Sequence, residues 1–347
     1  MKQRRQHVVG LASACLFALA GCAVNPIAPV SAGPTFQPPG GMPLLYVAEG
    51  PFPATMASIL EYPTGSSGTV SPINTVGPFP GVINDIAVDT SGNIYVVTGS
   101  DIREYAADAT GAAVPIRAIV PAPSAGVLID NIQGLAVDSS GNIYVSLFYS
   151  EVVVFNSSAN GTAFPSRYIF GNLTKLHIPG VLTTDSAGNL YAGNDPGGTV
   201  VLGPAANGNT PADRFLNVTT CCLATDAAAN LYTGLHNPTN PSSYKPGDPT
   251  TDMGTGVAVF SPTASGTDAP IRTIATGFDN LIGIALDSPG NIYVATNGTI
   301  HSVNGSIVTT PGVPMILKFS STASGQDPPL ITFTPSGWSG HGGIAIH

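Results

Sequence analysis

Charged residues, tryptophan and cysteine are scarce in this sequence of 347 residues. Only 9% of the residues are charged, and there are one tryptophan and four cysteines. Surface helices need a charged or polar face, so this composition leaves little material for amphipathic helices. Glycine (41 residues) and proline (32 residues) abound instead, and both are typical of turns. The composition therefore indicates an all-β protein.

Motifs that identify common hydrolases and metal enzymes are also missing. The sequence contains no HxH or HExxH pair of zinc ligands and no GxSxG turn for a nucleophilic serine. No local motif therefore indicates a zinc peptidase or an α/β-hydrolase.

The first residues have the pattern of an export signal. Lys2, Arg4 and Arg5 precede an apolar run at residues 8–20, which is too short to span a membrane comfortably. The run ends in LAGC, which resembles the lipobox of bacterial lipoproteins, in which the cysteine receives a diacylglycerol. We therefore predict a signal peptide at residues 1–21 and lipidation of Cys22. The alternative is an ordinary secretory signal with a chance cysteine.

Residues 22–43 are predicted to form a tether, because they are rich in proline and glycine and have no hydrophobic period. The lipid would anchor the chain to the bacterial cell envelope. The residue after Cys22 is alanine rather than aspartate, so the outer membrane is the expected destination in a Gram-negative host. Loss of residues 1–21 removes three of eleven basic residues, which leaves 8 − 20 = −12 charges. Such a surface repels phosphates, so we expect no nucleic acid partner, and we expect a monomer.

One short motif occurs five times. Its copies are DTSGNIYV, DSSGNIYV, DSAGNLYA, DAAANLYT and DSPGNIYV, which begin at Asp89, Asp138, Asp185, Asp226 and Asp287. The aspartate can cap a turn, and glycine accepts a positive φ. A calcium loop is the alternative, but it needs more oxygen ligands and usually a terminal bidentate acid. One copy also has alanine in place of glycine, so we interpret the motif as a turn between two antiparallel strands.

Alignment on the tyrosine of this motif shows six units. The tyrosines are Tyr46, Tyr95, Tyr144, Tyr191, Tyr232 and Tyr293. Each unit continues with a third strand, then with a glycine and a proline such as Gly111 and Pro115, and then with a fourth, outer strand. Four short strands repeated six times predict a β-propeller.

The two ends of the repeat region complement each other. The first unit begins at LLYV without a first strand, whereas the chain finishes with GGIAIH, which matches NDIAVD of the second unit. We therefore predict that the C-terminal strand completes the first blade and leaves no open sheet edge there. The fold class is all-β, a six-bladed β-propeller of four-stranded antiparallel blades over residues 44–347.

The segment GLAVDSSGNIYVS and its sister units resemble NHL repeats, and residues 44–347 resemble the six-bladed NHL and TolB-like propeller superfamily. The resemblance implies a fold rather than an activity, because the superfamily includes lactonases, lyases, amidating enzymes and pure interaction modules. It also implies that the loops entering the inner strands and the loops between second and third strands share one ligand face.

Several polar side chains and two cysteines are expected on that face. They are Asn84, Asp85, Asp130, Asn131, Gln133, His177, Cys221, Cys222, His236, Asp279, Asn280, His301 and His341. Long insertions in units five, six and one are expected to wall one side of it. The alternative is a merely solvated rim, because polar residues collect in loops whatever the function.

Cys221 and Cys222 are expected to be the only unmodified thiols of the exported chain. In an oxidising compartment they can form a vicinal disulfide, and the alternative is a reduced pair.

The sequence favours a binding or interaction module without a cofactor, which recognises a peptide, a glycan or a small molecule in the envelope. The alternative is a metal-assisted hydrolase or lyase, similar to a lactonase, on the same face. It would use a divalent cation held by several of Asp85, Asp130, His177 and Asp279.

Overall fold

The computed structural model describes residues 42–50, 56–122, 129, 131–194, 197–235, 256–278, 281–303, 306–340 and 342–347, with the backbone alone at 298–303 and 306–312. These residues form six small sheets, each with a four-stranded antiparallel core, and one turn of 3-10 helix at Asn172–Thr174. The predicted all-β six-bladed propeller is confirmed.

The strands occupy equivalent places in blades 1 to 6. The inner strands are β26 (Ile344–Ile346), β5 (Ile83–Val88), β9 (Ile132–Val137), β14 (Pro179–Thr184), β18 (Thr220–Thr225) and β22 (Leu281–Leu286). The second strands are β1 (Leu44–Glu49), β6 (Ile94–Thr98), β10 (Ile143–Leu147), β15 (Leu190–Asn194), β19 (Leu231–Leu235) and β23 (Ile292–Val303).

The outer half of each blade completes the same order. The third strands are β2 (Met56–Pro63), β7 (Asp101–Tyr105), β11 (Glu151–Phe155), β16 (Thr199–Leu202), β20 (Gly256–Phe260) and β24 (Ser306–Phe319). The outer strands are β4 (Asn74–Pro80), β8 (Arg117–Pro121), β13 (Arg167–Ile169), β17 (Arg214–Leu216), β21 (Arg272–Ala275) and β25 (Ile331–Pro335). Two further short strands are β3 (Gly68–Val70) and β12 (Gly161–Ala163).

Blade 1 closes the ring with strands from the two ends of the repeat region. Strand β26 pairs with β1 in antiparallel register, with Leu45 opposite Ile346, so the blade has the order β26-β1-β2-β4. The backbone N–H and C=O of His347 also bond to Leu44. On its other sides β26 contacts the inner strands β5 and β22 of the neighbouring blades. The predicted closure is therefore confirmed.

The repeated motif is a turn in which both carboxylate oxygens of the aspartate accept hydrogen bonds from the protein. In blade 3, Asp138 accepts hydrogen bonds from the backbone of Ser140 and Asn142, from the Asn142 side chain and from the Tyr144 hydroxyl, at 2.8–3.2 Å. Gly141 in this turn has a φ of 77°, which favours glycine. The other copies repeat this network, except that a proline removes one backbone donor after Asp287. Because the oxygens bind protein groups, the structure agrees with a turn rather than an ion loop.

An arginine extends this network from one blade to the next. The guanidinium of Arg167 lies 5.3 Å from the centre of the Tyr144 ring and donates to its hydroxyl at 2.9 Å. It also donates to the backbone carbonyls of Pro204 and Ala206 in blade 4, at 2.6 and 3.1 Å. The same contacts recur, with at least one carbonyl each, at Arg117, Arg214 and Arg272. We call this connection the Asp–Tyr–Arg chain.

A glycine after each third strand covers the outer edge of the preceding blade. Strand β12, which begins at Gly161, pairs in parallel with β8 of blade 2, and β3 pairs likewise with β25 of blade 6. Single parallel bridges at Gly111, Gly208, Gly266 and Gly325 do the same for the other four blades. A Cβ on Gly111 would have open space around it, so its φ of 56° rather than crowding accounts for glycine there. The blades thus have no free outer edge at these positions.

Replacement of Arg167 by methionine tests the Asp–Tyr–Arg chain. The variant keeps an aliphatic side chain but leaves the acceptors at Tyr144, Pro204 and Ala206 without their donor. We expect the free energy of unfolding in urea to fall by about 1–3 kcal/mol.

The matched control is Arg103→Met, which removes a partly exposed cation 3.6 Å from Asp101 and its contact with Tyr105 in the same blade, but no hydrogen bond to a neighbouring blade among the described residues. It should lower the unfolding free energy by less than Arg167→Met does, by about 1 kcal/mol or less. Equal losses in the two variants would contradict a special role for the Arg167 contacts.

Candidate ligand-binding face

The loops that enter the inner strands and those that join second to third strands lie on one side of the ring, opposite the aspartate turns. We call this side the mouth face. Its described loops differ in length: two residues join β6 to β7, whereas β23 and β24 pair outward as far as Val303 and Ser306. The predicted insertion of unit six is therefore a hairpin of continuous strands rather than a loop. Residues 51–55 and 236–255, which hold the insertions of units one and five, lie outside the described residues.

Seven of the predicted site residues can be placed with their side chains. They are Asn84, Asp85, Asn131, Gln133, His177, Cys221 and Cys222. His301 is known from its backbone alone, which pairs with Val308 in the hairpin. Outside the described residues lie Asp130, His236, Asp279, Asn280 and His341.

Asp85 joins the inner strands of blades 2 and 3. Its two carboxylate oxygens accept hydrogen bonds from the backbone of Ile86 at 2.9 Å and of Leu135, in blade 3, at 2.8 Å. On its other side, a Cβ built on Gly343 of blade 1 would lie 2.9 Å from Asp85 Oδ1, so a larger residue there would have to displace this carboxylate. Burial raises the pKa of Asp85 from its ordinary value of 3.8 to about 7, although the two amides act in the opposite direction.

The amide side chains beside Asp85 also bind protein groups. Asn84 is exposed, yet its Nδ2 donates to the Ile132 carbonyl at 2.7 Å. Gln133 donates to the Oδ1 of Asn131 at 2.7 Å, and Asn131 has a φ of 54°. The Asn84 contact connects the inner strands of blades 2 and 3 at the rim, whereas the Gln133 contact lies within blade 3.

His177 is exposed on the loop that enters blade 4. Its backbone N–H donates to the Oδ1 of Asn194 at 2.9 Å, and Nδ2 of Asn194 donates to the Lys175 carbonyl at 2.8 Å. Sequence reasoning missed Asn194, which is buried and holds this loop in place. Within the described ranges, no group of three His, Cys, Asp or Glu side chains lies close enough to hold a metal ion.

Cys221 and Cys222 place their sulfur atoms 3.3 Å apart as two separate thiols. Contact with Cys221 and burial raise the pKa of the Cys222 thiol. Gly234 on the neighbouring strand provides the space, because a Cβ there would collide with both sulfur atoms. The vicinal disulfide stays a prediction.

Two further features of the mouth face were missed from the sequence. Glu49 accepts hydrogen bonds from the backbone and hydroxyl of Ser339, at 2.6 and 3.1 Å, and so ties β1 to the segment before β26. Phe148 and Tyr149, in the short link between β10 and β11, form an edge-to-face pair with ring centres 5.6 Å apart. They are 41% and 70% exposed. Two adjacent aromatics in a three-residue link were the signal that could have revealed this pair.

No family model matches the sequence, and no curated protein is significantly similar to it. Solved structures do share its architecture. A protein of unknown function from Bacteroides caccae is 10% identical over 88% of this chain and 99% of its own, with a TM-score of 0.53. Apo AztD from Citrobacter koseri is 9% identical over 88% and 98% of the two chains, with a TM-score of 0.48. The Cps50 (Swd1) β-propeller domain of Myceliophteria thermophila is 9% identical over 73% and 71%, with a TM-score of 0.47. At 10% identity and a TM-score of 0.53, the Bacteroides caccae protein shares the fold alone with this chain.

Titration of Asp85 is expected to reduce stability as the pH rises. Its pKa is raised in the folded state, so the folded protein keeps a proton that the unfolded chain releases between about pH 4 and pH 7. The stabilisation is therefore complete at low pH and is lost as the pH approaches 7. Because Asp85 is partly exposed, we expect a loss on the order of 1 kcal/mol relative to Asp85→Asn.

Urea unfolding of both proteins from about pH 5 to about pH 8 measures this difference. All other groups are shared, so the difference between the curves reports Asp85 alone. Parallel curves would mean that Asp85 ionises at its ordinary pKa.

Proposed function

We propose that this chain is a binding module of the bacterial cell envelope, tethered through a lipid on Cys22, and that its mouth face recognises a peptide, a glycan or a small molecule. The propeller fold suits a binding or interaction module, since its loops can vary while the blades stay constant. The observation that carries the proposal is the exposed pair of Phe148 and Tyr149.

An aromatic pair in a turn is a suitable contact for several ligand classes. Phenylalanine and tyrosine offer large, rigid surfaces at a low entropic cost, and tyrosine adds a polar tip. Large aromatic side chains are usually well buried in folded proteins, yet Tyr149 is 70% exposed. The polar side chains around the rim, such as Asp85 and Asn84, hold the inner strands in place. The face is thus a rigid support with an exposed aromatic contact.

The resemblance to NHL and TolB-like propellers is part of the proposal. It rests on the repeated sequence motif, and the recurring Asp–Tyr–Arg chain adds that blades 2 to 5 are built from one repeat. That superfamily contains enzymes as well as interaction modules, so it adds no activity.

The alternative, a metal-assisted hydrolase or lyase, needs several of Asp85, Asp130, His177 and Asp279 to converge on a divalent cation. Asp85 already accepts two backbone hydrogen bonds, and Asp130 and Asp279 lie outside the described residues. No contact of the described residues favours this alternative over binding.

The tether rests on the N-terminal sequence. The basic residues, the short apolar run and LAGC have the order of a lipoprotein signal. Among the described residues there is no helix long and apolar enough to cross a membrane. A single lipid would hold the folded part at the membrane surface through residues 22–43.

The double variant Phe148→Ala/Tyr149→Ala tests the ligand contact. The full chain, purified in detergent, is applied to arrays of oligosaccharides, random peptides and small metabolites. We expect binding to members of one class, and we expect the double variant to weaken that binding at least about tenfold, because aromatic anchors dominate such interfaces.

Phe164→Ala is the matched control, since Phe164 is 68% exposed but follows β12 at the outer edge of blade 2. It should leave the dissociation constant unchanged. Absence of binding in all classes, or equal binding by the wild type and the double variant, would rule out this contact.

Replacement of Cys22 by serine tests the anchor. Without the thiol no diacylglycerol can be attached, so we expect the chain to move from the membrane pellet to the soluble fraction and to lose incorporation of labelled palmitate. Cys15→Ser, within the apolar run of the signal, is the control and should leave both unchanged. A Cys22→Ser protein that stays in the membrane pellet would contradict lipidation.

A further inference from the structure

Five of the six blades hold a positive charge over the tyrosine of the repeat. The distance from the cationic group to the ring centre is 4.9–5.9 Å in all five. The pairs are Arg117 with Tyr95, Arg167 with Tyr144, Arg214 with Tyr191, Arg272 with Tyr232 and Lys318 with Tyr293. In blade 6 the cation comes from the third strand, and Lys318 lies 3.5 Å from Asp287.

Blade 1 lacks this cation. Asn74 stands opposite Glu61 in the register of β2 and β4, in the same place that Arg117 takes opposite Glu104 in blade 2. Asn74 donates to the Ala109 carbonyl at 2.8 Å, the counterpart of the contact from Arg117 to Ala159. Asparagine thus replaces one hydrogen bond of the guanidinium but not its charge.

Blade 1 nevertheless keeps a glutamate at the position that pairs with this arginine in blade 2. In blade 2, Glu104 is bonded to the guanidinium of Arg117. Its counterpart Glu61 has an exposure of 0% and no cation of the described residues beside it, and neither of its carboxylate oxygens makes a hydrogen bond of good geometry. Burial raises the pKa of Glu61 to about 7, although the neighbouring Asn74 side chain acts in the opposite direction. A buried carboxylate without a partner is strongly unfavourable, so an uncompensated Glu61 would be an exception in this protein.

The side chains around Glu61 offer oxygen atoms. Tyr46 lies opposite Glu61 in the register of β1 and β2, and Asn74 lies opposite it on the other side. Burial, and then the charge of Glu61, raise the pKa of Tyr46. His347, in the place of the repeat aspartate, instead contacts the Thr90 carbonyl at 3.2 Å. No other charged side chain of the described residues takes the position of the missing guanidinium.

We propose that this position in blade 1 binds a monovalent metal cation, Na⁺ or K⁺, with the Glu61 carboxylate as its charged ligand. The Tyr46 hydroxyl and the Asn74 side-chain oxygen are the neutral ligands nearest in the strand register. Oxygen ligands suit hard cations, and one carboxylate balances one positive charge. A calcium site would gather more oxygens and usually more carboxylates.

The position of this site links it to closure of the ring. Tyr46 lies on β1, which pairs with the C-terminal strand β26 on one side and with β2 on the other. A cation between these strands would supply the positive charge that an arginine provides in blades 2 to 5. Its binding would therefore stabilise the folded state by mass action.

Thermal unfolding of the full chain in different salts tests this site. The midpoint is measured in NaCl, KCl and choline chloride at equal ionic strength, since choline is too large for a buried site. We expect the midpoint in NaCl or KCl to lie a few degrees above that in choline chloride, with an effect that saturates. Rb⁺ or Tl⁺ soaked into crystals should give an anomalous peak beside Glu61.

Three variants make the result specific. Glu61→Gln should abolish the difference between salts. Asn74→Arg, which restores the arrangement of blades 2 to 5, should abolish it too and should raise the midpoint in choline chloride. The matched control Glu104→Gln should keep the difference, because Glu104 has its own arginine.

Several results would overturn the site. One is an equal midpoint in all three salts, which would make Glu61 a buried neutral acid. Another is a difference between salts that survives in Glu61→Gln or in Asn74→Arg. Stabilisation by Ca²⁺ or Mg²⁺ alone would reject the monovalent assignment. If Glu61→Gln does not fold, Asn74→Arg and the anomalous peak still decide.

Discussion

The contact between a cation and the repeat tyrosine, present in five of the six blades, is the interaction on which the rest of the propeller depends. The mature chain would have eight basic residues, and five of them lie over a repeat tyrosine. In a protein with so little charge, most of the positive charge therefore serves one structural purpose. Because each guanidinium in blades 2 to 5 also binds carbonyls of the following blade, it fixes the angle between neighbours as well as the turn within its own blade.

The loops of the mouth face can vary in sequence without loss of the fold. The turns and cations that stabilise the blades lie on the opposite side of the ring, so the mouth loops need only local hydrogen bonds to hold them in place. Asp85, Asn194 and Glu49 supply such ties, each by accepting backbone hydrogen bonds from a neighbouring segment. Polar residues at a propeller mouth are thus not by themselves evidence of catalysis. The exposed aromatic pair differs from them, because it is exposed rather than tied into the rim.

The sequence predicted what depends on local chemistry and on the period of the repeat. The aspartate turn, the six units and the closing strand each follow from spacing within one unit or from the match between the two ends. The glycine bridges did not follow, because the partner of Gly161 is an outer strand of the preceding blade. Asn194 and Glu49 were missed for the same reason, since their importance depends on which loop lies beside them. Phe148 and Tyr149 were missed because only polar residues and cysteines were considered for the face.

Blade 1 differs from the others because two distant segments build it. In the other blades the repeat aspartate lies in the turn that joins the first and second strands, and it holds the tyrosine hydroxyl. Strands β26 and β1 have no such turn, so His347 takes the aspartate position and cannot supply the same carboxylate. Without it, Tyr46 has a different acidic neighbour, Glu61 on the third strand. The Asp–Tyr–Arg chain is therefore interrupted where the ring closes, and the buried Glu61 carboxylate there has no cation of the described residues beside it.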